Sequence, residues 1–207
     1  MRYLYIDTSS SFLYSAIVED GSIVSKVEQE YGQDLSKEAL PQIVSMFTNN
    51  QLKPADIDKI YIVNGPGSFT GIRIGVTIAK TYAWSLNIPI VPLLSLEAMA
   101  ISSKKTKIHV PIINARRGYV FGAIYDENYQ ELLKPRHIKL EDLKMKLSAY
   151  QDYEFISNDT FEEEIITESY SPDFLKIIDF YKERESKNPH AINPEYLKLT
   201  EAEESLL

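Results

Sequence analysis

The sequence predicts an α/β protein folded as two lobes, the second smaller than the first. Three observations carry this. Residues 59–86 read strand, glycine turn and helix in that order; a meander of three short strands opens the chain and another follows residue 106; and residues 102–106, SSKKT, make the clearest linker between them. The echo between the meanders is topological, not a sequence repeat.

Taken in order, residues 2–6 form a short apolar strand closing on Asp7, Thr8, Ser9 and Ser10. Residues 14–18 resume a strand, Asp20 and Gly21 turn the chain, and residues 22–30 alternate through Ile23 and Val27. Asp7, at a strand end beside hydroxyls, suits either a magnesium-bound phosphate or a simple Asx turn. Thr8 and Ser9 share whichever role it has. A helix spans residues 36–49, with Ala39, Leu40, Ile43, Val44 and Phe47 at helical spacing and Pro41 near its first turn, where proline is tolerated.

The apolar run Ile60 to Val63 then stops at Asn64, and Gly65, Gly67 and Gly71 follow among Pro66, Ser68, Phe69 and Thr70. Gly65 and Gly67 allow positive φ or close backbone approach, and Ser68 or Thr70 is placed to cap the next helix. The free N–H groups of that turn, with Arg73 nearby, would make a small anion site. A Walker loop is excluded because Gly71 is followed by Ile72 and Arg73 where Lys and Ser or Thr are needed. A dinucleotide fingerprint fits poorly, since the three glycines are spaced one residue too wide. A tight turn with glycine for packing alone is the competing reading.

The helix after the turn, residues 70–86, carries two apolar stripes: Ile72, Val76, Ala79, Ala83 and Leu86 on one side, Ile74, Ile78 and Tyr82 on another. A helix apolar on two sides is buried on two sides, by another layer of the same fold or by a partner chain.

Residues 89–94 are a buried strand and Ser95 caps a short helix through residue 100. Beyond the linker, strands are expected at 107–113, 119–125 and 129–138, a helix at 140–149, a strand at 153–157, and helices at 160–168 and 173–183. The domain reading is a first lobe over 1–101, a second over 107–187 and a proline-punctuated tail over 188–207.

Composition narrows the function. At 207 residues the chain can bury a core without staples, and the absence of cysteine excludes disulfides, thiolate metal sites and a cysteine nucleophile. A cytoplasmic protein is expected: the first strand begins at Arg2, leaving no signal peptide, and no apolar run approaches a membrane span. Twenty-two basic against thirty acidic side chains give a net charge of −8, so nucleic acid would need a partner's positive surface. His109, His137 and His190 are never paired at metal-site spacing, and no GxSxG elbow appears. Arg116 and Arg117 sit at a turn, where they bind an anion, bind a carboxylate or are simply solvated.

The segment NGPGSFTGIRIGV, the opening YIDTS, the turn NARRGYVF and the tail PEYLKLTEAE resemble the TsaB family, also called YeaZ, over nearly the whole chain. The resemblance implies the two-lobed actin/Hsp70/sugar-kinase (ASKHA) fold with a reduced second lobe. It implies a non-catalytic subunit, lacking the histidine metal motif of its paralogue TsaD. That subunit pairs with TsaD and, with the ATPase TsaE, supports transfer of a threonylcarbamoyl group from an adenylate to the adenosine beside the tRNA anticodon. No cofactor is then required by this chain: ATP and a Mg, Zn or Fe ion belong to the partner subunits, tRNA is met only through the complex, and weak ATP or ADP binding is left open.

By the same resemblance the partner interface falls on Leu40, Ile43, Val44 and Phe47 of the first long helix and Ile74, Ile78 and Tyr82 of the second. A homodimer through that face is expected when TsaD is absent. Two departures stand out: family members commonly have a histidine near the start of the first helix, where this chain reads QDLSKEALP, and often an aspartate where Asn114 stands. The rival class is an enzyme of the same superfamily, a nucleotide-dependent phosphotransferase using Asp7 and the glycine turn, or a peptidase.

Overall fold

The computed structural model describes residues 1–104 and 108–198. The predicted linker's residues 105–106 and the acidic end of the tail lie outside them. The described residues divide into two compact units, residues 1–95 with 172–195, and residues 96–171 with 196–198.

In the first unit, β1 (Arg2–Asp7), β2 (Phe12–Glu19) and β3 (Ser22–Glu30) form the predicted antiparallel meander. α1 (Leu35–Asn49) leads to β4 (Lys59–Gly65), and α2 (Phe69–Leu86) to β5 (Ile90–Leu94). β4 pairs parallel to β1 and β5 parallel to β4, giving the order β3-β2-β1-β4-β5. The helical crossovers are what parallel neighbours require. Ser68 caps α2 by accepting a hydrogen bond from the Gly71 N–H at 3.2 Å, and Asn87 ends it at a left-handed φ of 54°. Ile72, Val76, Ala79 and Ala83 bury α2 against the sheet, each large side chain contributing about 1.5–3 kcal/mol. Pro41 lies in the second turn of α1, not the first. Its ring is on the exposed face, so the Lys37 carbonyl that lacks an amide partner is not sealed in the core.

The second unit repeats the plan. α3 (Ser95–Ser102) precedes β6 (Ile108–Asn114), β7 (Tyr119–Tyr125) and β8 (Glu131–Lys139), an antiparallel meander; α4 (Leu140–Leu147) leads to β9 (Tyr153–Ile156), parallel to β6, and β10 (Thr167–Glu168) follows. The order β10-β9-β6-β7-β8 is the first sheet's order read backwards. Residues 160–168 are not the expected helix. Only Phe161 and Ile165 of this segment reach the core, and Ile166 is fully in solvent, so no continuous helical stripe exists to bury.

The domain boundaries need correction too. α5 (Phe174–Tyr181), assigned from sequence to the second lobe, belongs to the first unit: Phe174, Ile177, Ile178 and Tyr181 are buried beside β2 and β3, and Phe174 meets the Tyr5 ring edge-on at 5.3 Å. Residues 188–195 of the supposed free tail also belong there. α3 belongs to the second unit rather than ending the first, because Leu96, Met99 and Ala100 pack with Ala123, Tyr125 and Ile156.

Candidate functional site

Two candidate motifs of the sequence, Asp7-Thr8-Ser9 and the glycine turn, are brought together in the first unit as one packed joint. The Ser68 N–H donates to the Ser9 carbonyl at 2.7 Å, and the Thr8 hydroxyl donates to the Gly71 carbonyl at 2.7 Å. A Cβ at Gly67 would collide with the Ser9 carbonyl oxygen, and one at Gly71 with that of Thr8. Glycine here lets α2 seat on the end of β1.

The Ser68 and Gly71 N–H groups are therefore already bonded. Thr70 is exposed, and Arg73 lies outward with its guanidinium 3.7 Å from the Phe69 ring centre. Asp7 is 2 % exposed and closes an Asx turn, accepting the Ser9 N–H at 2.8 Å. Burial pushes its carboxyl up to about 6, against the opposing pull of hydrogen bonds from Ser9 and Tyr5. Thr8 and Ser9 are buried with it. The arrangement is that of a structural joint.

All but Ile74 of the residues predicted for a partner interface converge on a groove of about 360 Å³ between α1 and α2, lined by Leu40, Ile43, Val44, Phe47, Ile78 and Tyr82 together with Pro54, Thr77 and Thr81. They do not share one role. Ile43 and Phe47 are buried in the unit's own core and form the floor. Ile74 packs with Leu35 and Ala39 outside the groove lining, and Ile78 and Tyr82 are half-buried walls. Leu40 and Val44, one turn apart on α1, are 53 % and 52 % exposed.

Within the groove the most exposed apolar side chains are thus Leu40 and Val44 of α1, while Ile78 and Tyr82 of the predicted α2 stripe are half-buried. Tyr82 is fixed in place: its hydroxyl donates to the Pro54 carbonyl, its ring meets Phe47 edge-on at 6.1 Å, and burial pushes its pKa upward, with the charge of Asp56 adding. Thr77 and Thr81 line the groove as well, though neither belongs to an apolar stripe of the sequence. Their spacing one turn apart beside Ile78 and Tyr82 was the signal.

In the second unit, Arg116 and Arg117 adopt left-handed φ of 65° and 54° in the turn between β6 and β7. Asn114 holds this turn. Its Oδ1 accepts the Arg116 N–H at 2.8 Å, its Nδ2 donates to the Thr160 carbonyl at 2.6 Å, and its own N–H donates to Asp159 at 2.7 Å. Desolvation raises the Asp159 carboxyl despite that bond. A carboxylate at position 114 could not donate to Thr160, which accounts for the amide. Each histidine ends against an aromatic ring: His109 at Tyr129, His137 at Tyr119 and His190 at Trp84. Among the described residues no three His, Asp or Glu side chains gather as a metal site, and no helix is long and apolar enough to cross a membrane.

Two mixed sheets of one order, the first unit carrying an exposed apolar groove between α1 and α2, define a duplicated α/β protein. Residues 24–171 match the family model described as "TsaD: tRNA N6-adenosine threonylcarbamoyltransferase". The chain is 32 % identical to the tRNA threonylcarbamoyladenosine biosynthesis protein TsaB of Bacillus subtilis over 98 % of its own length and 96 % of that protein's. It is 33 % identical to TsaB of Escherichia coli over 62 % of this chain and 57 % of the other. The chain belongs to the TsaB (YeaZ) family. The fold agrees: the structure "YeaZ from Pseudomonas aeruginosa" superposes with a TM-score of 0.71 at 16 % identity, covering 95 % of this chain and 99 % of that one. A second structure, described as an uncharacterized protein with similarity to peptidase YeaZ, gives 0.79 at 18 % identity with the same coverage. The fold is accordingly that of the YeaZ structures, with two five-stranded mixed sheets of one order.

Proposed function

We propose that this chain is a non-catalytic subunit that pairs with TsaD through the α1/α2 groove and, with TsaE, supports threonylcarbamoyl transfer to the adenosine adjacent to the tRNA anticodon. The observation that carries the reading is the pair Leu40 and Val44, half in solvent above an apolar groove. Apolar side chains exposed together on a groove rim gain about 1–2 kcal/mol each when a partner removes them from water. The family membership supports the pathway, and the net charge of −8 supports contact with tRNA only through the complex. In this reading ATP and the metal ion act in the partner subunits, in the cytoplasm, and in the absence of TsaD a second copy covers the groove.

The rival phosphotransferase or peptidase needs a reachable acid or base. Asp7 is sealed in a packed joint, which favours the accessory role. The test is reconstitution of tRNA modification from purified TsaD, TsaE and this chain. Leu40→Glu is expected to abolish activity while leaving the melting temperature unchanged, and Asp7→Asn to retain it. Turnover by this chain alone that disappears in Asp7→Asn would overturn the assignment.

A further inference from the structure

We propose that residues 187–195 form a releasable strap, docked on a peptide-binding ledge made by Asn64, Lys80 and the outer edge of β5, and that its seating keeps α2 in the form that presents the groove. The last clause rests on the partner-binding reading above; the ledge itself does not.

β5 ends its sheet, so its outer edge offers unpaired backbone groups. The Lys187 N–H takes the Ile90 carbonyl at 2.8 Å, forming an isolated antiparallel bridge. The strap then turns at Asn188, whose Oδ1 accepts the His190 N–H, and crosses the flank of α2, where Lys80 Nζ donates to the Ile192 carbonyl at 2.7 Å and the His190 carbonyl at 3.4 Å. Asn64 grips the far end twice, its Nδ2 donating to the Asn193 carbonyl at 2.8 Å and its carbonyl accepting the Glu195 N–H at 2.7 Å. The residue after it must be glycine: Gly65 has φ +131°, and a Cβ there would strike the Glu195 carbonyl oxygen. The Asn64-Gly65 start of the glycine segment, which in sequence resembles an anion loop, is thus the receptor for the chain's own tail.

α2 is held on three sides, by the sheet, by α1 and by the strap, and the strap does so with a single buried side chain. Ile192, 1 % exposed, is its one fully buried side chain, and the side chains of Lys187, Asn188, His190, Ala191, Asn193 and Glu195 are exposed. Few buried side chains, and hydrogen bonds that are exposed or only partly buried, place a segment at the low end of local stability. Pro189 and Pro194 bracket it and reduce the entropy lost on reseating.

Hydrogen exchange on the full-length chain tests this. Residues 187–195 are expected to exchange at least 10-fold faster than residues 60–63. Ile192→Ser, or Lys80→Met as a variant that leaves the core intact, should raise exchange across residues 77–86 at least 10-fold and weaken TsaD binding about 10-fold. A synthetic peptide of residues 186–198 added in trans should restore protection in Ile192→Ser, and the same peptide carrying Ile192→Ser should not. Strap exchange only in step with β4, or release of the strap with α2 protection unchanged, would overturn the proposal, as would failure of the wild-type peptide to restore it. If the wild-type chain does not bind TsaD, the partner reading fails while the exchange and peptide results still decide the strap.

Discussion

Asp7 keeps an ionisable group where a neutral one would be easier to bury, and the consequence is measurable. Its carboxyl ordinarily titrates near 3.8 and in the fold titrates near 6, a difference of about 2 pH units or about 3 kcal/mol. Because the folded value is the higher, the native state binds the proton more tightly. The stabilisation is full below about pH 4 and is lost as the pH rises through 6. Asp7→Asn, which keeps an acceptor for the Ser9 N–H, should therefore gain on the wild type by up to about 3 kcal/mol between pH 4 and pH 7 in urea titrations. A difference that does not vary with pH would contradict this account of Asp7. Gly71→Ala should cost about 1–3 kcal/mol, since the Thr8 backbone it meets cannot move aside cheaply. At this scale the sequence was half legible. Ser68 as a cap and the glycines as a tight turn could be read from spacing, but the partners of Thr8, Asp7 and Asn114 are set by chain segments distant in sequence.

Among the elements, the groove depends on α1 and α2 unequally. Ile78 is half-buried and packs on two clusters of the unit's own core, so Ile78→Glu should destabilise the fold by about 2 kcal/mol or more and confuse any binding test. Leu40 and Val44 separate the two effects. Either one changed to Glu should alter stability by no more than about 0.5 kcal/mol, checked by urea denaturation, while placing a charge on the groove rim. The periodicity of α1 and α2 marks the two helices that line the groove, because amphipathic spacing survives in any fold. It could not say which apolar residues the chain's own core would take, and so it credited Ile74, Ile78 and Tyr82 with an exposure that packing in the first unit halves. The segment 160–168 failed for a related reason: its few apolar residues serve the core from irregular backbone.

For the whole molecule, the first unit is discontinuous. The chain leaves it at Ser95 and returns at Pro172 to add α5 and the strap. Burial of Phe174, Ile177, Ile178 and Tyr181 contributes on the order of 6–12 kcal/mol, comparable to the entire stability of a small domain. A chain ending at Ser171 should accordingly lose the cooperative unfolding transition of the first unit in thermal melts followed by circular dichroism. Two lobes with echoing meanders were legible from the order of strands and turns. The return of α5 was not, since an apolar helical stripe carries no mark of the sheet it will cover.

The central claim, that the rim of the α1/α2 groove is a docking surface for TsaD, is tested most directly by titration calorimetry of TsaD into the wild-type chain and into the Leu40→Glu, Val44→Glu double variant. The account predicts saturable binding by the wild type and at least a 30-fold loss in the variant, about 2 kcal/mol, with both proteins melting at the same temperature. Equal affinity from an equally stable variant would contradict it.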